Sequence, residues 1–283
     1  LTLDYALLAG SGQMFRWNHS GGRWFALDGT KRMWMDGPWD EDRGRLLRED
    51  WNWPEVHARV ATIDPILGEA QARLPGLILL RPGDRIEALF AFLCASNCHL
   101  ARIGQMVGAL ASFGEVRCDR EGSYRAFPSL PWLAEVTEES LWASGFGYRA
   151  RTIPRAARQL AGAGDAYLDD LARASTPDLV KELMGLPGVG RKLADCIALY
   201  AFDRTESVPV DVHLRAAVVR RYRPDLRDRS LTPAVYAAIA AEVQDRYGML
   251  SGYTQLLLYF DEMKRNITQK SNVEIAAIDP LLT

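Results

Sequence analysis

The stretch LPGVGRKLADC, residues 186–196, sets a run of turn formers directly against an apolar-periodic segment. Upstream, Thr176-Pro177-Asp178 reads as a helix start, a capping residue followed by Pro in the first turn. Leu179, Val180, Leu183 and Met184 give that helix an apolar face, and GLPGVG stops it. A second helix begins near Arg191, with Leu193, Ile197, Tyr200 and Ala201 facing inward. The unit is therefore helix, tight Gly-rich turn, helix. Lys192 falls in the first turn of the second helix, where the backbone dipole is positive and a lysine is disfavoured.

Three functional readings compete for a Gly-rich turn followed by Lys. For a Walker phosphate loop, Gly185 and Gly190 have the right spacing. Arg191 and Leu193 break the rest of that pattern, and a helix rather than a strand precedes it. A dinucleotide fingerprint lacks its third glycine and its βαβ unit. What remains is a helix-hairpin-helix. There, N–H groups of the turn and of the next helix hold a DNA phosphate, and Gly188 and Gly190 let the sugar-phosphate chain come close. A plain αα-corner has the same composition. Asp211, nineteen residues after Lys192 in VPVDVH (208–213), bears on that choice; in isolation it reads as the N-cap of the next helix.

The rest of the chain frames this hairpin. Six of the eight tryptophans lie between Trp17 and Trp53. The runs MFRWN, RWFALD and KRMWMDG are separated by the turn formers HSGG and DGT, which predicts an antiparallel meander. WDEDRGRLLRED is charged and expected to be exposed, and residues 53–74 are expected to be helical with a break at Asp64-Pro65. Asp84, followed by Glu87 three residues on, has the pattern of a capping box. A helix with Ile86, Leu89, Phe90 and Leu93 follows, then another with Ile103, Met106, Val107 and Leu110. From there the pattern predicts helix after helix, ending in a loosely held tail. The fold class expected is α+β. It comprises an N-terminal antiparallel β-sheet domain with some helix (1–80), a two-part all-α body (81–185 and 186–270) and a tail (271–283).

The 283 residues are 48% hydrophobic and 25% charged, with a net charge of −2. That charge does not favour a nucleic-acid binder, but local patches matter more than the total. YRARTIPRAAR (148–158) is such a patch, with four arginines and no acid. No stretch reaches the roughly eighteen apolar residues of a membrane span, and no secretory signal opens the sequence as given. An intracellular protein without a membrane partner is expected. The four cysteines, Cys94, Cys98, Cys118 and Cys196, are scattered, which argues against a disulfide scaffold; no Cys or His cluster completes a metal site.

Six stretches resemble the 8-oxoguanine DNA glycosylases of the helix-hairpin-helix superfamily, which are bifunctional glycosylase/lyases. They are SGQMFRW, LFAFLCASNCHLARI, GFGYRAR, LPGVGRKLADC, VPVDVH and the segment around Gln255. They run in the family's order across residues 10–260. The resemblance implies that Lys192 is the nucleophile and Asp211 the essential carboxylate, with no cofactor and no catalytic metal. A lysine amine at the sugar C1′ displaces the base, and the resulting Schiff base permits β-elimination. With a free-lysine pKa of about 10.4, on the order of one amine in a thousand is uncharged at neutral pH. A helix N-terminus and burial are expected to lower that value.

By the same resemblance, Cys196 pairs with Lys192 near the base pocket. The Gly12 carbonyl accepts the N7 proton that only the oxidised guanine carries. Gln255 reads the Watson–Crick edge, and Tyr259 stacks on the base. Asn97 and Tyr148 fill the hole left by the extruded nucleotide, Arg102 and Arg149 read the estranged cytosine, and His213 lies near the 5′ phosphate. The implied partner is double-stranded DNA containing oxidised guanine, bound by a monomer. The location is on DNA inside the cell, in cytoplasm or nucleoid if bacterial and in the nucleus if eukaryotic. Two departures stand out. The family's asparagine run is Asn97-Cys98-His99 here, and Tyr259 replaces the usual Phe. The cysteine cluster of the iron–sulfur branches is absent, because no Cys follows Cys196. Two alternatives remain at this stage: the same fold with another damaged-purine preference, against whose alkylation branch Lys192 argues, and a non-catalytic helix-hairpin-helix module that only binds DNA.

Overall fold

The computed structural model describes residues 2–164 and 166–278, with side chains in the last helix as far as 265. After a short α1 (Tyr5–Ala9), the aromatic runs form β1 (Trp17–Ser20), β2 (Arg23–Asp28) and β3 (Lys31–Trp34). They pair antiparallel in the order β1-β2-β3. The first turn is Gly21-Gly22, both with positive φ, as a two-residue hairpin turn requires. Ala26 and Met33 are register partners and both are buried, so one face of the sheet meets the core.

The charged run expected to be exposed instead contains α2 (Glu41–Leu46), with Leu46, Leu47 and Arg48 buried. Asp40 caps this helix, and its two leucines give it an inward end that the surrounding charges hid from the sequence reading. The expected break at Asp64-Pro65 separates α3 (Trp53–Ile63) from α4 (Pro65–Ala72), with Asp64 capping the second.

Asp84 caps α5 (Arg85–Cys94) by accepting from Glu87 N. The other half of the expected capping box is not made. Glu87 turns inward, where Arg16 donates to both of its oxygens and Gly29 N donates at 2.6 Å. This buried pair joins the strand unit to the helical body. Gln13 does similar work, donating to Ile78 O and accepting from Leu80 N.

α6 (Leu100–Ser112) buries Ile103, Met106, Val107 and Leu110, as its periodicity predicts. A hairpin then interrupts the expected run of helices: β4 (Val116–Asp119) and β5 (Gly122–Arg125). It docks on the first sheet, through Arg32 to Asp119 and Tyr124 OH to Thr30 O. Its mostly exposed residues give no apolar alternation, which is why the pattern was missed.

The remaining elements are helical: α7 (Leu130–Glu135), α8 (Glu138–Ala143), α9 (Arg149–Gly162), α10 (Tyr167–Arg173), α11 (Thr176–Met184) and α12 (Arg191–Ala201). They continue as α13 (Val212–Arg221), α14 (Pro233–Tyr247) and α15 (Ser251–Ile278). The cap of α11 is Ser175 rather than Thr176, one residue earlier than expected, because Ser175 is the residue that accepts from Asp178 N. From Leu193 to Ala201 every residue of α12 is buried, so the helix that carries Lys192 runs through the core, packed on α5 and α11. The segment expected to be a loose tail continues α15 to Ile278; residues 279–283 lie outside the described residues.

Candidate active site

The hairpin turn between α11 and α12 opens on a cleft of about 930 Å3. Eight of the residues expected at the site line it: Gly12, Asn97, Gly188, Gly190, Lys192, Asp211, His213 and Tyr259. They come from five separate parts of the chain. The topology assembles them because α12 and α13 both begin at the cleft, α5 ends there, and the loop after α1 reaches it.

Each piece is set by local chemistry. Gly12 has φ +72, and a Cβ there would lie 2.6 Å from the Leu100 side chain. Only glycine brings the backbone this close to α6, and the buried Gln13 holds it in place. Gly188 has φ +85, so it too needs glycine. Gly190 differs. Its φ is −90 and a Cβ there would meet nothing within 4 Å. The fold does not require that glycine, and the space in front of the N-terminus of α12 is open.

Asp211 caps α13, accepting from Leu214 N at 2.8 Å, and the same residue lines the cleft. Asp211 is thus the N-cap that its position predicts, and its place in the cleft leaves it facing the same space as Lys192. Tyr259 meets His213 edge to face at 5.3 Å. Burial and the charge of Asp211 push its phenol above the usual range, so it stays a neutral donor.

Lys192 is half-buried, hydrogen-bonded to the Cys196 sulfur and within electrostatic reach of Asp211. Its amine is held above the ordinary lysine value, first by Cys196 and, further down the order, by Asp211; burial pulls it the other way. The expected lowering is thus reversed in the free protein. Desolvation acts as expected, but the Cys196 sulfur and the Asp211 carboxylate outweigh it. Cys196 is buried and its thiol is pushed up by that burial, with Lys192 pulling it down.

Five expected residues do not line the cleft. Cys196 and Gln255 are buried behind it; Gln255 donates to Gly252 O at 3.2 Å and also hydrogen-bonds Tyr200. Tyr148 OH donates to Ser96 O at 2.9 Å, and buried Arg149 donates to the same carbonyl. Together they pin the loop next to Asn97, whose φ of 49 is unusual for a residue other than glycine. Arg102 donates to Gly145 O and Gln105. Other residues line the cleft without having been singled out. Phe15 lies inside a quoted motif, and His99 belongs to the departure Asn97-Cys98-His99 but had no role assigned, whereas Leu231 and Met263 carry no sequence signal. Among the described residues no group of His, Cys, Asp and Glu could hold a metal, and no helix is long and apolar enough to cross a membrane.

Residues 172–200 match the helix-hairpin-helix motif. The chain is 36% identical to the N-glycosylase/DNA lyase OGG1 of Arabidopsis thaliana over 240 residues, 83% of this chain and 66% of that protein. It is 36% identical to the N-glycosylase/DNA lyase of Saccharomyces cerevisiae over 149 residues, covering 48% of this chain and 40% of that one. The whole fold superposes on MBOgg1, solved with a low-affinity DNA ligand, at TM-score 0.81 and 25% identity, covering 93% of both chains. The chain belongs to the OGG1-type helix-hairpin-helix glycosylase family. It spans about two thirds of the Arabidopsis relative and less of the yeast one. The same OGG1-type fold, in the 8-oxoguanine glycosylase/lyase of Clostridium acetobutylicum, superposes at TM-score 0.81 with 22% identity. That match concerns the fold: a small antiparallel sheet near the N-terminus beside a mostly helical body.

Proposed function

We propose that this protein is a bifunctional DNA glycosylase and β-lyase that removes 8-oxoguanine opposite cytosine from duplex DNA. The observation that carries this reading is a single cleft holding Lys192 on the first turn of α12, Asp211 at the start of α13, Gly12 and Tyr259. Two curated relatives are N-glycosylase/DNA lyases, and the Clostridium enzyme was solved with DNA containing cytosine opposite 8-oxoguanine.

The chemistry follows from the residues. Lys192 rests as an ammonium and gives up a proton before it acts. Its amine then forms a bond to C1′ as the C1′–N9 bond breaks, and the base departs with the electron pair and takes a proton. Asp211 opposes the positive charge that builds on the sugar. The ring opens to a Schiff base, which acidifies C2′. Loss of a C2′ proton then breaks the C3′–O bond and releases the strand. The open N-terminus of α12, with Gly188 and Gly190, holds a phosphate beside the site. A base must leave the duplex to enter a cleft of this kind. Asn97 and Tyr148 fill its place, Arg102 and Arg149 read the estranged cytosine, and His213 meets the 5′ phosphate. Gln255 and Cys196 back the base pocket. The protein acts as a monomer on DNA inside the cell, without a cofactor.

Borohydride trapping tests the proposal. With an 8-oxoguanine:cytosine duplex, the wild type should form a covalent complex and Lys192→Gln none. DNA binding without any trapped complex in the wild type would sink the lyase mechanism. Running each opposite base in turn, and an alkylated or other oxidised purine in place of 8-oxoguanine, reads the effect of Asn97-Cys98-His99 and of Tyr259.

A further inference from the structure

We infer that Tyr236, on α14 and outside the cleft, is a positioning residue whose hydroxyl sets the spacing between the helix that carries Lys192 and the loop that carries Asp211. Its side chain is buried. Its O–H donates to Asp195 Oδ2 at 2.6 Å, and its oxygen accepts from Val210 N at 3.0 Å. Asp195 lies on α12, one turn after Lys192, and Val210 immediately precedes Asp211. One oxygen atom therefore touches both elements at the point where each presents its reacting group.

The single proton of the hydroxyl has two acceptors in range, the Asp195 carboxylate and the Val208 carbonyl at 3.4 Å. The charged and nearer acceptor takes it, which leaves the lone pairs for Val210 N. Arg191 completes the arrangement. Its Nε donates to the same Asp195 oxygen at 2.9 Å, and its guanidinium sits over the Tyr236 ring at 5.4 Å. Asp195 is buried, so it cannot turn to water when the hydroxyl is removed.

The role rests on the activity proposed above, in which Lys192 and Asp211 meet one sugar. Attack needs near-contact geometry, and a misplacement of about 1 Å costs on the order of a hundredfold in rate. A link that fixes the two elements relative to each other acts on that distance and not on DNA affinity.

The test uses the full chain and two readouts, single-turnover excision of 8-oxoguanine and amide hydrogen exchange at Val210. In Tyr236→Phe, exchange at Val210 should quicken and excision should slow by about tenfold to a hundredfold, with duplex affinity unchanged. Asp195→Asn keeps the accepting oxygen and loses the charge, so it should retain the wild-type rate; Asp195→Ala should behave like Tyr236→Phe. Excision at the wild-type rate in Tyr236→Phe overturns the positioning role. So does an Asp195→Asn variant that is as slow as Tyr236→Phe while its Val210 exchange is unchanged, since charge would then be the cause. Unchanged exchange in Tyr236→Phe overturns the bridge itself. A wild type that excises no base fails the activity reading alone, and the exchange comparison still decides the bridge.

Discussion

Lys192 sits on the first turn of a helix, partly buried, and is still held as a cation, because Cys196 and Asp211 outweigh its burial. Since the attacking species is the neutral amine, the rate of the first chemical step should rise with pH on the alkaline side, with the limb set by this amine. Cys196→Ser removes the sulfur that contributes most to the upward shift and should move that limb to lower pH in a single-turnover pH profile. A limb that stays in place would mean that the sulfur does not govern the amine. The folded amine lies above its unfolded value, so its contribution to stability is complete at neutral pH and is lost only as pH rises through the raised value. Lys192 and Asp211 were legible as a pair through the family resemblance of the motifs that carry them, and the structure puts both in one cleft. The sequence could not supply the direction of the amine's shift, because that depends on a sulfur and a carboxylate meeting in space. Tyr236 shows the same limit: it reads as one more apolar helix residue, and its bonds to Asp195 and Val210 span 41 and 26 residues.

At the scale of the element, Gly188 and Gly190 of the hairpin turn make separable demands. Gly188 occupies the left-handed region, where a side chain costs about 1–2 kcal/mol, and its Cβ would press on Thr152 at 3.1 Å. Gly188→Ala should lower thermal stability by about that amount. Gly190 has ordinary φ and open space, so Gly190→Ala should leave the melting temperature near the wild type. If a phosphate rests on the N-terminus of α12, the same variant should weaken duplex binding. Melting and binding titrations on the two variants separate fold from grip, and equal loss of stability in both would remove the distinction. Turn chemistry made this element legible, since Pro and Gly punctuate it and α12 follows with clear periodicity. The hairpin β4–β5 was not legible for the opposite reason. Its residues face solvent, and it is held by contacts such as Arg32 with Asp119, 87 residues apart.

Across the whole molecule, the N-terminal unit brings Gly12 and Phe15 to the cleft, and Arg16 with Glu87 is a buried joint that fixes that unit to the helical body. Arg16 also donates to the backbone carbonyls of Gly29 and Arg125, so one side chain ties the β2–β3 turn, β5 and α5 together. SGQMFRW was legible as a motif, but its division of labour was not: Gly12 faces the cleft, while Gln13 and Arg16 hold the frame that puts it there. Arg16→Met should destabilise the protein by about 3–5 kcal/mol, because it leaves Glu87 buried without its partner. The joint also carries a pH dependence. Burial pushes the Glu87 carboxyl up to about 7, against the opposing pull of Arg16. A group raised in the folded state favours folding fully below its unfolded value, and that contribution is lost as pH rises through the folded value. Wild-type stability should therefore gain a declining component between the ordinary glutamate range and about pH 7. Glu87→Gln keeps an oxygen for Arg16 and Gly29 N but cannot ionise, so its stability should be flat in that interval where the wild type slopes. Denaturant unfolding at a series of pH values compares the two curves; identical slopes would show that Glu87 is ionised at no net cost and that Arg16 fully compensates its burial.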